Sequence, residues 1–149
     1  MKHNTLDEID LEILDLLQKD GRMPIKEIAQ IINLSAPATS ARIDYLRQND
    51  YITGFQAIVD PIKLGLYTKA FICLEVSPDQ KNQFYPYIKS CKNVVECSCV
   101  TGEYSMLLEV QFRTTIELDA FIGELQHFGR TNTLIAFSTA VEHRGVGIL

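Results

Sequence analysis

Two groups of side chains in this sequence have types and spacings suited to chemistry. The first runs from Ser35 through Ala36, Pro37, Ala38, Thr39 and Ser40 to Arg42, with Arg47 one turn and a half further on and Arg22 upstream. Small side chains let a backbone approach a surface closely. Hydroxyls bond to phosphate or to base edges, and guanidinium groups to either. The second is Thr101-Gly102-Glu103-Tyr104-Ser105. Gly102 frees the backbone for close approach, neighbouring N–H groups are suited to a ligand carboxylate, and Glu103 to an ammonium group.

The remaining reactive residues carry no motif. The cysteines at 73, 91, 97 and 99 lack the paired Cys-x-x-Cys or Cys/His spacing of a zinc site. Cys97 and Cys99 on a strand would point to one face, at a spacing poor for a mutual disulfide. Reduced, mostly buried thiols are expected. His3, His127 and His143 sit in no nucleophile or metal pattern, and no Gly-rich phosphate loop is present. No enzyme chemistry, cofactor or metal is expected.

The first group is positioned by helices. Thr5-Leu-Asp-Glu8 has capping-box spacing, with Asp7 as a competing cap, and Ile9, Ile13, Leu16 and Leu17 share one helical face. Gly21 is expected to end that helix in the left-handed conformation. A second helix fits Pro24 to Ile32 with Ile28, Ile31 and Ile32 inward, and Asn33 tolerates the left-handed turn that follows. Ser35 caps a third helix, with Pro37 in its first turn, running to about Gln48; Ala38, Ile43, Tyr45 and Leu46 are its apolar members. Residues 51–60 alternate as a strand, with Thr53-Gly54 at the tip of a small wing. Three helices with a tight turn before the third, then a strand, is winged helix-turn-helix order. The third helix would enter the major groove.

Asp60-Pro61 to Gly65 marks a boundary, dividing the chain into 1–60 and 61–149. Beyond it, strands are expected at 69–76, 94–101, 105–112 and 133–141. Helices are expected from an Asp79 cap to Ser90, where Pro86 predicts a late start or a kink, and at 116–128. The fold class is therefore α+β: a winged helix-turn-helix followed by a ferredoxin-like βαββαβ sandwich. Both helices cover one face of the sheet. A second copy is expected to cover the other in a two-fold dimer.

Charge agrees locally rather than globally. The net charge is −5, yet between Arg22 and Arg47 the cations Arg22, Lys26, Arg42 and Arg47 outnumber Glu27 and Asp44. From residue 1 to 20, Lys2 and Lys19 stand against six acids. No apolar run approaches the roughly 20 residues that cross a bilayer, and the first residues do not read as a secretory signal, so a cytoplasmic protein without membrane partners is expected.

The run Leu6-Asp7-Glu8-Ile9-Asp10, then Ile13-Leu14, Asp20-Gly21-Arg22, Ile28-Ala29, Leu34-Ser35, Arg42-Ile43, Leu46 and Ile52-Thr53-Gly54-Phe55 resembles the N-terminal domain of the Lrp/AsnC, or feast/famine, transcriptional regulators. The resemblance covers nearly the whole chain. It implies a DNA-reading helix from Ser35 to Arg47 on a pseudo-palindromic operator. The C-terminal domain it implies is RAM/ACT-like, dimerises, and in many members assembles into a tetramer of dimers. It further implies an amino-acid effector held between dimers by the loop Thr101 to Ser105 and by Thr133, Leu134, Ile135 and Ala136. Ser105 stands where Asp is commoner in the family. Taken without its first sixty residues, the chain would read instead as a ferredoxin-like small-molecule-binding subunit or small enzyme with no DNA binding; that alternative predicts no retardation of DNA in a gel.

Overall fold

The computed structural model describes residues 6–148 and divides into two compact units. One contains the chain up to Ile58 together with the tail from Val141; the other is Val59–Ala140. A boundary at residue 60 was expected, but the tail was not assigned to the first unit. Gln18 Nε2 donates to the Val146 carbonyl at 3.1 Å within that unit.

In the helical unit, α1 is Glu8–Lys19, α2 Ile25–Ile31 and α3 Ala36–Gln48. Asp7, not Thr5, caps α1: its carboxylate accepts from the Asp10 N–H at 2.8 Å, and Asp10 returns the bond to the Asp7 N–H at 3.2 Å. Thr5 lies outside the described residues. The helix ends without a left-handed glycine, since Asp20 closes the turn by accepting the Arg22 N–H at 2.8 Å. Asn33 does take the left-handed conformation at φ 54°. The Leu34 N–H reaches back to the Ala29 carbonyl at 2.9 Å, which closes α2 and sets the turn into α3. Asp50, at φ 60°, ends α3 in the same way through Tyr51 N–H to Leu46 O. Ile13, Ile28, Ile32 and Leu46 form the buried centre, and the described residues form no wing beside it. Among the described residues, 51–60 pair with no strand. The alternation is present, but no neighbouring strand supplies partners for its backbone, and Phe55, Ile58 and Val59 stay exposed.

The second unit has the expected order: β1 Thr68–Val76, α4 Lys81–Ser90, β2 Val94–Cys99, β3 Met106–Phe112, α5 Thr115–Leu125 and β4 Gly129–Ala136. The sheet order is β2-β3-β1-β4, with every pairing antiparallel. Ala70, Ile72 and Leu74 of β1 pack with Met106, Leu108 and Val110 of β3 under Phe84, Ile88, Leu118, Phe121 and Leu125 of the helices. Several boundaries differ from expectation, β2 ending at Cys99 rather than 101 and α5 at Leu125 rather than 128. Helix α4 begins after Gln80 with no side-chain cap, so Asp79 does not cap it, and Pro86 lies inside the helix rather than in a delayed first turn. Strand β4 lies about four residues earlier than 133–141. Gly129 belongs to the ladder because it pairs with Val76.

The opposite sheet face carries Lys69, Phe71 and Cys73 of β1, Leu107 and Glu109 of β3, and Asn132, Leu134 and Ala136 of β4, as the alternating register requires. Lys69 Nζ bonds Glu109 Oε1 at 2.9 Å there, while Leu134 is 56% exposed. No element of the unit covers this face.

Candidate nucleic-acid interface and ligand loop

The first turn of α3 is presented to solvent by the turn at Asn33. Ser35 Oγ accepts the Ala38 N–H at 3.3 Å, so its hydroxyl is engaged in capping. Ala36, Pro37, Ala38 and Ala41 are exposed, and Ser40 half-buried. This surface is small-sided and nearly free of charge. Arg22, in the turn after α1, and Arg47, in the last turn of α3 and 4.0 Å from Asp44, are both exposed.

Two residues of the expected reading set sit otherwise. Thr39 is fully buried, and its hydroxyl donates to the Ser35 carbonyl at 3.0 Å; it faces the core rather than a groove. Helical spacing turns position 39 inward with Ile43 and Leu46. Arg42 is only partly exposed, and one of its nitrogens, Nη1, bonds Asp7 Oδ2 at 2.8 Å and Asp10 Oδ1 at 2.7 Å. Asp10 is 7% exposed. The backbone N–H of Asp10 and then the Arg42 guanidinium hold the Asp7 carboxyl below its ordinary range, and the Asp7 and Asp10 carboxylates raise Arg42 in turn.

In the second unit the loop 101–105 joins β2 to β3. Gly102 has φ +117°, and the loop is tied to the end of β1: the Val76 N–H donates to Ser105 Oγ at 2.9 Å, and the Ser105 N–H to the Leu74 carbonyl at 3.1 Å. Glu103 is already partnered. Arg130 Nη2 donates to Glu103 Oε1 at 2.7 Å, Arg130 Nε to Glu75 Oε2 at 3.2 Å, and its guanidinium lies 5.1 Å from the centre of the Tyr104 ring. Glu103, followed by Glu75, raises the Arg130 pKa. Sequence reasoning missed Arg130 and Glu75. Only the Gly129-Arg130 pair hinted at them, a glycine inside a strand marking close backbone approach.

The expected effector set is not gathered in one chain. The loop lies beside the start of β4, since Met106 pairs with Leu74 and Leu74 with Thr131. Ala136 is at the far end of the strand, opposite Lys69, roughly 20 Å away at about 3.3 Å per residue. Strand alternation divides the four further: Leu134 and Ala136 lie on the bare face, Thr133 and Ile135 on the helix side opposite Ile72 and Ala70.

The cysteines are free. Cys73, Cys91 and Cys97 are half-buried and Cys99 exposed, so the expectation of mostly buried thiols does not hold. Burial, with Cys99 and Glu96 nearby, pushes the Cys97 thiol up and makes it a poor nucleophile. Among the described residues no group of His, Cys, Asp and Glu is gathered to hold a metal ion, and no helix is long and apolar enough to cross a membrane.

A helix-turn-helix unit with an exposed, small-sided third helix, joined to a four-stranded ferredoxin-like unit, defines a DNA-binding regulator with a ligand-binding domain. Comparison with known proteins agrees for both units. Residues 6–47 match the AsnC-type helix-turn-helix domain, and residues 69–146 the Lrp/AsnC ligand binding domain. The chain belongs to the Lrp/AsnC family of transcriptional regulators. It is 33% identical over 141 residues to the HTH-type transcriptional regulator FL11 of Pyrococcus abyssi, covering 93% of each chain. Among solved structures, B. subtilis LrpC superposes with a TM-score of 0.88 at 27% identity, over 93% of this chain and 99% of that one. The Neisseria meningitidis regulator NMB0573, solved as a complex with L-Met, gives 0.87 at 25% identity, over 94% of each.

Proposed function

We propose that this regulator reads double-stranded DNA through the first turns of α3 and answers to an amino acid bound at its ligand domain. The observation that carries the reading is the exposed turn Ser35-Ala36-Pro37-Ala38, with Ser40 and Ala41 behind it, projected by the left-handed Asn33 and free of acidic side chains. In a major groove the methyl and hydroxyl groups approach base edges, while Arg22 and Arg47 contact phosphates on either side. Two copies related by a two-fold axis set two reading helices about 34 Å apart on a pseudo-palindromic operator.

The bare face of the sheet is where a second copy packs, with Phe71, Leu107 and Leu134 at its centre. Further assembly into a tetramer of dimers would bring Thr133–Ala136 of one chain toward the 101–105 loop of another, which a single chain does not do. At that loop the effector's carboxylate meets Arg130 and the N–H groups around Gly102, and its ammonium meets Glu103. The residues to about 60 hold DNA, and the remainder up to the tail binds ligand and self-associates. The protein works in the cytoplasm, by binding alone and without catalysis.

The test is a gel shift on the DNA upstream of its own gene, with each of the twenty amino acids added in turn. Retardation that at least one amino acid strengthens or weakens is expected. No retardation at any salt concentration refutes the DNA-binding reading. Retardation indifferent to every amino acid refutes the effector reading.

A further inference from the structure

We infer that Arg42, although it lies in the reading helix, is a positioning residue that acts on DNA recognition through Asp7 and Asp10 rather than by touching DNA. The inference rests on the reading of α3 proposed above and concerns what holds that helix in its reading orientation.

The geometry is closed at both ends. Asp7 and Asp10 form a reciprocal capping box at the start of α1, so each carboxylate uses one oxygen on the other's backbone N–H, Oδ1 of Asp7 and Oδ2 of Asp10. The remaining oxygen of each, Asp7 Oδ2 and Asp10 Oδ1, accepts from Arg42 Nη1. The four carboxylate oxygens are thereby all engaged, and the arginine bridges the first turn of one helix to the middle of another. Asp10 is nearly buried. A guanidinium withdrawn from it would leave a desolvated carboxylate without its cation, a cost that a solvent-exposed phosphate contact would have to exceed. Helices α1 and α3 are otherwise joined through apolar packing around Ile13 and Leu46, which is non-directional and specifies register less sharply than hydrogen bonds do. A bridged ion pair fixes both, because its bonds hold only in one register. The buried Thr39, one turn before Arg42 and bonded to the Ser35 carbonyl, carries that register to the exposed turn at Ser35–Ala38.

The experiment begins with a random duplex library, from which the full-length wild-type chain selects a preferred sequence. Affinities of wild type, Arg42→Gln, Arg42→Lys, Asp10→Asn and the Arg42→Gln/Asp10→Asn double variant are then measured for that duplex and for a random one, across a series of salt concentrations. Arg42→Gln is expected to lower the ratio of preferred to random affinity by at least about fivefold, with Asp10→Asn doing the same and the double variant no worse than either. Arg42→Lys, which retains a cation for the carboxylates, recovers part of the ratio. The dependence of log affinity on log salt stays as in wild type throughout. A change in its slope of about 0.9 per chain, about 1.8 for a bound dimer, for Arg42→Gln alone would show a lost phosphate contact and overturn the inference. So would a loss for Arg42→Gln confined to one base pair, with Asp10→Asn binding as wild type, since that pattern marks a base reader. If Arg42→Gln does not fold, Arg42→Lys and Asp10→Asn decide: both unchanged in ratio overturns the inference, and a shared loss at constant slope supports it. Failure of the wild-type chain to enrich any sequence removes the reading of α3 itself, and the inference with it; every other adverse result tells against Arg42 alone.

Discussion

Gly129 offers a direct test of how the 101–105 loop is held against the sheet. It has φ +157°, and a Cβ placed on it would lie 1.7 Å from the Glu75 carbonyl oxygen and 2.8 Å from its carbon. The obstacle is backbone of the central strand β1, so Gly129→Ala forces the start of β4 away by more than an ångström. Inserting one methyl group into a packed site costs about 1–3 kcal/mol. Losing an end bond of the β1–β4 ladder adds roughly 0.5–1.5 kcal/mol. Against this, alanine restricts the unfolded chain and returns about 0.4–1 kcal/mol. The net is a destabilisation of about 2–3 kcal/mol, a large part of the 5–15 kcal/mol typical of a domain. Urea unfolding, together with amide hydrogen exchange along β1, measures it, and Gly123→Ala is the control. Gly123 is in α5 with nothing within 4 Å of an added Cβ, so alanine there is expected to stabilise by about 0.5–1 kcal/mol. Displaced Arg130 should also loosen Glu103, seen as faster exchange in residues 101–105. A Gly129→Ala protein within 0.5 kcal/mol of wild type, or a Gly123→Ala protein equally damaged, would refute the reasoning.

Two further outcomes follow from the ion pairs and the bare sheet face. Because the folded state holds the Asp7 carboxyl below its ordinary value of 3.8, its contribution is complete above that value and is lost as pH falls through the depressed one. Helix content of the first unit, followed by circular dichroism from pH 5 downward, should therefore fall less steeply below pH 4 in Asp7→Asn than in wild type; parallel curves would exclude the role of Asp7. Phe71→Glu, at the centre of the uncovered face, should weaken self-association at least tenfold, about 1.4 kcal/mol, in analytical ultracentrifugation, whereas Ile116→Glu on the exposed outside of α5 should leave it unchanged. Equal behaviour of the two variants would place the interface elsewhere.

Much of the scaffold was legible because it is decided within a few residues. The left-handed Asn33, the Ser35 cap and the extent of α3 follow from local hydrogen bonding, and the order βαββαβ follows from where the hydrophobic period changes between 2 and 3.6. Local rules failed where two local solutions compete. Asp7 displaced Thr5 as the described cap of α1, and the Asp20 carboxylate closed the helix without needing a left-handed Gly21. The strand expected over 51–60 has the right alternation, but a strand is completed only by a neighbour, and periodicity says nothing about whether one arrives.

The sequence by itself determined that a three-helix unit precedes a ferredoxin-like sheet, because caps, turns and periods act through contacts a few residues apart. It also determined the family. Only the tertiary structure decided which charges meet. In sequence Arg42 and Glu103 stand alone; only the fold sets Arg42 on Asp7 and Asp10, more than thirty residues away, and Arg130 on Glu103. An exposed ion and a paired one look the same in sequence. Their difference lies in separations of a few ångströms between distant segments, and only the packing of helices and the register of strands set those.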